Sequence, residues 1–137
     1  MDDLLSFGAS TTALARCQHL PRLDSVAEVL GCLYVIEGAS LGGQIIAKHL
    51  KANLGLTPET GASFFSGYGA STGDYWLAFK TLLTEVATTL DQDDQIVRSA
   101  KSTFQTLGDW LSTNQRTSRT DSLIGKVREA TSKSGCP

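Results

Sequence analysis

The chain has 137 residues, 41% of them hydrophobic and 19% charged, with 12 basic against 14 acidic side chains and a formal net charge of −2. That length suits one domain with its own core, and the charge lacks the basic excess that binding a nucleic-acid backbone needs. No apolar run approaches the ~20 residues of a membrane span, the acidic start MDDLLSFG is unlike an export signal, and three scattered cysteines suit a reducing cytoplasm rather than a disulfide scaffold.

In chain order, Asp2 to Phe7 is a short apolar helical start with Gly8 behind it. Ala9 to Leu23 reads as a loop holding one short helix around Thr12 to Arg16, and Pro21 and Pro58 fall where they end helices rather than kink them. Ser25 with Glu28 three positions on has capping-box spacing and starts the longest helix. Val26, Leu30, Leu33, Leu41, Ile45 and Leu54 recur at helical intervals and carry it to Leu54, with Gly55 as its C-terminal cap. Thr57 to Thr72 mixes Pro58 and glycines with Phe64, Phe65 and Tyr68, so it is an ordered but irregular loop.

A second helix begins at Ser71 or Thr72, with Trp76, Phe79, Leu82, Val86 and Leu90 as its apolar stripe. Asp91 with Asp94 caps a third, striped by Ile96, Ala100, Phe104, Leu107 and Leu111. Polar Ser112 to Thr120 break the pattern, a weak helix follows over Asp121 to Ala130, and residues 132–137 form a disordered tail. Every long segment has the period of 3.6 and none the period of two, so the fold class is all-α, a single helical domain over residues 1–137.

The segment Gly31 to Gln44 is unusual for a helix. Its four glycines, Gly31, Gly38, Gly42 and Gly43, each cost about 1 kcal/mol against alanine, roughly 4 kcal/mol in all. Gly31, Val35, Gly38 and Gly42 fall at i, i+4, i+7 and i+11, one face, which makes a trough poor in Cβ atoms. Close helix–helix packing, a bend at Gly42-Gly43, or a flat ligand lying on the trough would each account for it.

The run LYVIEGASLGGQIIAKHL, followed by FFSGYG and TGDYWLAF, resembles the bacterial heme oxygenases, especially those that supply biliverdin to bacterial phytochromes. The resemblance spans about Asp24 to Leu111. It implies an all-α helical bundle that holds heme between a proximal helix bearing a histidine and a glycine-bearing distal helix. The implied reaction is oxidative cleavage of heme to biliverdin, CO and iron with O2 and electrons, the cofactor supplying the hard chemistry. Gly38, Gly42 and Gly43 match the distal-helix glycines, and Ala39 stands where many relatives have an aspartate. Lys80 matches a basic residue near a heme propionate and Phe104 an aromatic against the porphyrin. Tyr34, one step from the trough, reaches a propionate or caps the core.

Each also has a plainer role: Lys80 as a solvated rim lysine, Phe104 as core, and Glu37 as a part-buried acceptor for loop N–H groups. The family's proximal histidine lies far upstream of the glycines, whereas here His19 is the sole upstream histidine. The chain therefore reads as an N-terminally shortened member, and no metal ligand is assigned to it. His49 lies about 10 Å beyond Gly42 on the same face, and the Cys136-Pro137 dipeptide carries little weight.

Two functions stay open. One is a cytoplasmic heme oxygenase with heme as substrate and cofactor, ferredoxin or a flavin reductase as electron donor, and a bacteriophytochrome as biliverdin acceptor. The other is a non-catalytic or truncated relative that binds no heme, or a tetrapyrrole without turnover. The apolar surface that shortening uncovers predicts a homo-oligomer.

Overall fold

A computed structural model describes the backbone of residues 2–9 and 14–133 and the side-chain surroundings of residues 3–9 and 14–113. Among the described residues five α-helices follow in order: α1 (Asp2–Ser6), α2 (Val26–Leu54), α3 (Ser63–Ser66), α4 (Thr72–Leu90) and α5 (Asp93–Lys133). No strand occurs among the described residues, so the chain is all-α as its periodicity predicts.

The capping chemistry sets α2. Ser25 Oγ accepts the Glu28 N–H at 3.2 Å as the spacing predicts, while the Glu28 carboxylate reaches one residue further back, accepting the Asp24 N–H at 2.7 Å in place of the Ser25 N–H of a full capping box. At the other end Gly55 adopts φ 66°, and its N–H turns back onto the Lys51 carbonyl. The helix runs unbroken through Gly42 and Gly43. By length and composition α2 is also apolar enough to cross a membrane, with a mean hydropathy of 1.5 over its best window, although no single run in the sequence suggested it. One of its faces is packed on α5, as in a core helix.

The core lies where α2 crosses α5. Ala27, Leu30 and Ile96 are its buried members, with Leu83, Val86 and Ala87 of α4 packed against them. Gly31 allows the crossing: a Cβ there would overlap the Ile96 carbonyl oxygen, so the helices meet backbone to backbone. The α5 side of the contact is small and polar. Ser99 and Thr103 are buried, Ser99 Oγ donating to the Glu28 carbonyl at 2.7 Å and Thr103 Oγ1 to the Ser99 carbonyl at 2.9 Å, so the hydroxyls cost little in a dry interface.

This packing overturns the stripe expected for α5. Of Ile96, Ala100, Phe104, Leu107 and Leu111, only Ile96 is buried, and Phe104 and Leu111 face outward. The close approach at Gly31 admits small side chains, and the larger ones turn away. In α4, Leu83 rather than Leu82 reaches the core.

Other boundaries shift too. Asp91 is the left-handed residue (φ 52°) that closes α4, and Asp94 sits inside the first turn of α5 rather than capping it. Helix α5 continues through Ser112–Thr120 and Asp121–Ala130 to Lys133, because serine and threonine are only weakly unfavourable in a helix and no proline interrupts them. Of the expected Thr12–Arg16 helix, residues 14–16 are non-helical and Thr12 and Ala13 lie outside the described residues. Residues 134–137 of the expected tail lie outside them as well.

Candidate functional site

The two motifs that stand out in the sequence interlock. Residues 57–71 form short helical turns laid across the C-terminal half of α2, with Gly61 (φ 125°), Gly67 (φ 52°) and Gly69 (φ 61°) supplying the left-handed corners. Three residues of the distal segment hold this loop. Gly43 is buried, and a Cβ on it would stand 2.9 Å from the Phe65 carbonyl oxygen. Gln44 donates its side-chain amide to the Ser66 carbonyl and to Thr72 Oγ1. Glu37, half-buried as expected, accepts a hydrogen bond from the Tyr68 hydroxyl at 3.1 Å rather than from a loop N–H. That carboxylate holds the Tyr68 phenol above its ordinary pKa, through the hydrogen bond first and its charge second.

The loop is also pinned from its far side. Asp3 on α1 accepts the N–H groups of Phe64 at 2.8 Å and Ser63 at 3.0 Å, which lowers its pKa, and the Phe7 ring covers Gly61. The tight spacing of EGASLGGQ and FFSGYG thus reflects one packing unit. The role of Gln44 was not evident beforehand; its signal is a carboxamide set beside a glycine that lets the loop come close.

With the loop on one side of α2 and α5 on the other, the glycine trough resolves turn by turn. Gly31 is filled by the α5 backbone and Val35 is buried. At Gly38 a Cβ would meet the Trp76 indole at 3.5 Å, in ordinary contact. At Gly42 nothing lies within 4 Å. The open face is therefore the one that Tyr34, Gly38, Leu41, Gly42 and Ile45 share, with Leu41 and Ile45 exposed beside the bare backbone.

Trp76 forms the wall of this face. Its ring lies 5.4 Å from that of Tyr34 and stacks at 5.9 Å on Phe79, while Lys80 Nζ sits 5.6 Å above it. Tyr34, Gly38 and Lys80 thus gather around one indole, with Gly42 a turn further on. Phe104 does not join them: it stands 60% exposed on α5 and makes no ring contact with Tyr34 or Trp76. His49 is exposed on the same side of α2 as Gly42, two turns on, so it does not stand opposite Gly42 across a flat ligand. His19 is exposed in the segment before α2.

A flat, largely apolar molecule with acidic arms suits this face. The bare backbone at Gly42 admits a ring at van der Waals distance, Leu41 and Ile45 supply apolar contact, and Lys80 with the Tyr34 hydroxyl offers donors at the edge. Two clefts among the described residues lie elsewhere. One of about 370 Å³ is bounded by Arg22, Glu28, Gln95 and Arg98 at the start of α2; it is polar and touches none of the glycine face.

Among known proteins, the family model described as heme oxygenase matches residues 5–113. No curated protein and no solved structure matched the chain.

Proposed function

Because this chain belongs to the heme oxygenase family, we propose that it binds heme on the open face of α2 and serves its oxidative cleavage to biliverdin, CO and iron. The observation that carries the proposal is Gly42: a helix-interior glycine with open space above it, at the edge of an apolar face walled by Trp76. A glycine that costs about 1 kcal/mol in a helix, and that no packing requires, is accounted for by a ligand that lies on it.

In that arrangement Gly42 lets the macrocycle reach the α2 backbone, Gly38 lets the Trp76 ring close in beside it, Leu41 and Ile45 exclude water from its plane, and Lys80 and Tyr34 bind its carboxylates at the rim. Gly43, Gln44 and Glu37 act one step back, fixing the loop that stiffens this half of α2. When bound, heme supplies the redox chemistry with O2 and external electrons. The protein's share is to orient the ring and limit solvent around it.

The finer assignment rests on the EGASLGGQ and FFSGYG motifs. We place the chain with the bacterial, phytochrome-associated members, in the cytoplasm, with ferredoxin or a flavin reductase as donor and a bacteriophytochrome as acceptor. A second function, heme or tetrapyrrole binding without turnover, is favoured by one observation: the described residues form a single wall, and His49 shares the side of Gly42 instead of opposing it.

Hemin titration followed by ascorbate-driven turnover tests both. A Soret shift followed by a biliverdin band supports the oxygenase, and a Soret shift without the band supports the binding function. A spectrum identical to free hemin contradicts both.

A further inference from the structure

The Trp76 indole is a meeting point for side chains of two helices. From α2, the Tyr34 ring lies tilted at 5.4 Å, and the indole edge stands 3.5 Å from where a Gly38 Cβ would be. From α4 itself, Phe79 stacks at 5.9 Å. Lys80, four residues on and so on the same helix face, holds its Nζ 5.6 Å from the ring centroid. The indole is half-buried, whereas Tyr34 and Lys80 are exposed. Among the described residues neither the Tyr34 hydroxyl nor the Lys80 ammonium has a hydrogen-bond or ion-pair partner. Two donors, one from each helix, thus rest on one braced ring.

An exposed lysine with no ion pair samples many rotamers, and binding a ligand must fix one of them at a cost in entropy. The face of an indole is the best aromatic seat for an ammonium. It draws Nζ to one place without neutralising it as a carboxylate would, so the charge stays available to a ligand. Tilted packing on the same ring restricts Tyr34 in a similar way. We infer, on the footing that heme binds this face, that Trp76 is a positioning residue for both donors. It pre-places the Lys80 ammonium and the Tyr34 hydroxyl together, and so makes the face select flat apolar rings whose arms end in free carboxylates over the same rings with esterified arms.

Hemin and hemin dimethyl ester, titrated in the same mild detergent, test this through the ratio of their dissociation constants. Wild type is expected to favour hemin by about tenfold, the worth of a charge-assisted hydrogen bond. Trp76→Leu is expected to cut that preference by about twofold to fivefold, and Trp76→Phe, which keeps an aromatic face, to restore most of it. In a Tyr34→Phe/Lys80→Met background Trp76→Leu is expected to leave the ratio unchanged. A tryptophan that served only as a wall would weaken both probes alike. In the unliganded wild-type chain the Lys80 ε-methylene protons are expected upfield of those of the other lysines, shifted by the indole ring current; this measurement does not depend on how Trp76→Leu folds. Equal binding of the two probes by wild type, a ratio that Trp76→Leu leaves unchanged, or Lys80 shifts like those of the other lysines would overturn the role of Trp76 alone. A wild type that binds neither probe would overturn heme binding with it.

Discussion

Alanine at two glycines of one helix should have opposite effects on stability. At Gly31 the new Cβ would land on the Ile96 carbonyl oxygen, 2.6 Å from Ser99 Cβ and 2.8 Å from the Ala100 nitrogen, where ordinary contact begins near 3.4 Å. Two of the three atoms are backbone, so α5 must retreat as a body, by roughly 1 Å, at a typical overpacking cost of about 1–3 kcal/mol. The retreat also strains the 2.7 Å bond from Ser99 Oγ to the Glu28 carbonyl, worth about 1 kcal/mol. Alanine's better helix propensity returns about 1 kcal/mol. The net expectation for Gly31→Ala is a loss of about 1–3 kcal/mol, or roughly 3–10 °C in Tm.

Gly42→Ala meets nothing within 4 Å, keeps the propensity gain of up to about 1 kcal/mol, and should raise Tm by a few degrees. Urea and thermal melts by far-UV circular dichroism read both. Equal shifts of the same sign in the two variants would refute the assignment of Gly31 to packing and Gly42 to an open face.

Gln44→Leu should cost about 1–2 kcal/mol, because the Ser66 carbonyl and Thr72 hydroxyl lose their shared donor; limited proteolysis between residues 63 and 71 should speed up with it. Asp3 has a folded pKa below its ordinary 3.8, because it accepts the Phe64 and Ser63 N–H groups. Its stabilisation is therefore fully present above that ordinary value and is lost as pH falls through the lowered one. Asp3→Asn should be less stable than wild type at pH 7, with the gap closing in acid; a constant gap across pH would contradict the linkage. Tyr68 has a raised pKa through its bond to Glu37, so that contribution is present below the ordinary 10.0 and is lost as pH rises through the folded value. Ultraviolet titration should show the late ionisation of Tyr68 in wild type move to lower pH in Glu37→Gln, which lacks the carboxylate charge.

Much of the fold is legible in the sequence where local chemistry decides it. Ser25, Glu28 and Gly55 mark α2 because capping acts through neighbours in the chain, and the mixture of glycine and aromatic residues marks the loop. The orientation of α5 is not legible that way. Its apolar stripe predicts a buried face, yet the tight crossing at Gly31 selects Ser99 and Thr103, whose hydroxyls are satisfied by helix carbonyls. Hydropathy cannot register that choice, because it depends on a residue sixty-odd positions away. The same holds for the site. The glycine spacing points to one continuous trough, while the structure gives Gly31 to α5, Gly38 to the Trp76 ring, Gly43 to the loop and only Gly42 to open space. Trp76 seemed a core residue of α4, and it is the wall of the site.

The central claim is that heme lies on the bare backbone at Gly42. Hemin titration of Gly42→Leu beside wild type tests it most directly, since the leucine projects into space that no protein atom fills and leaves the fold intact. The account predicts unchanged helicity with hemin affinity weakened by at least about tenfold, some 1.4 kcal/mol, and a lost Soret shift. A variant that binds hemin as tightly as wild type, with the same Soret spectrum, would contradict it.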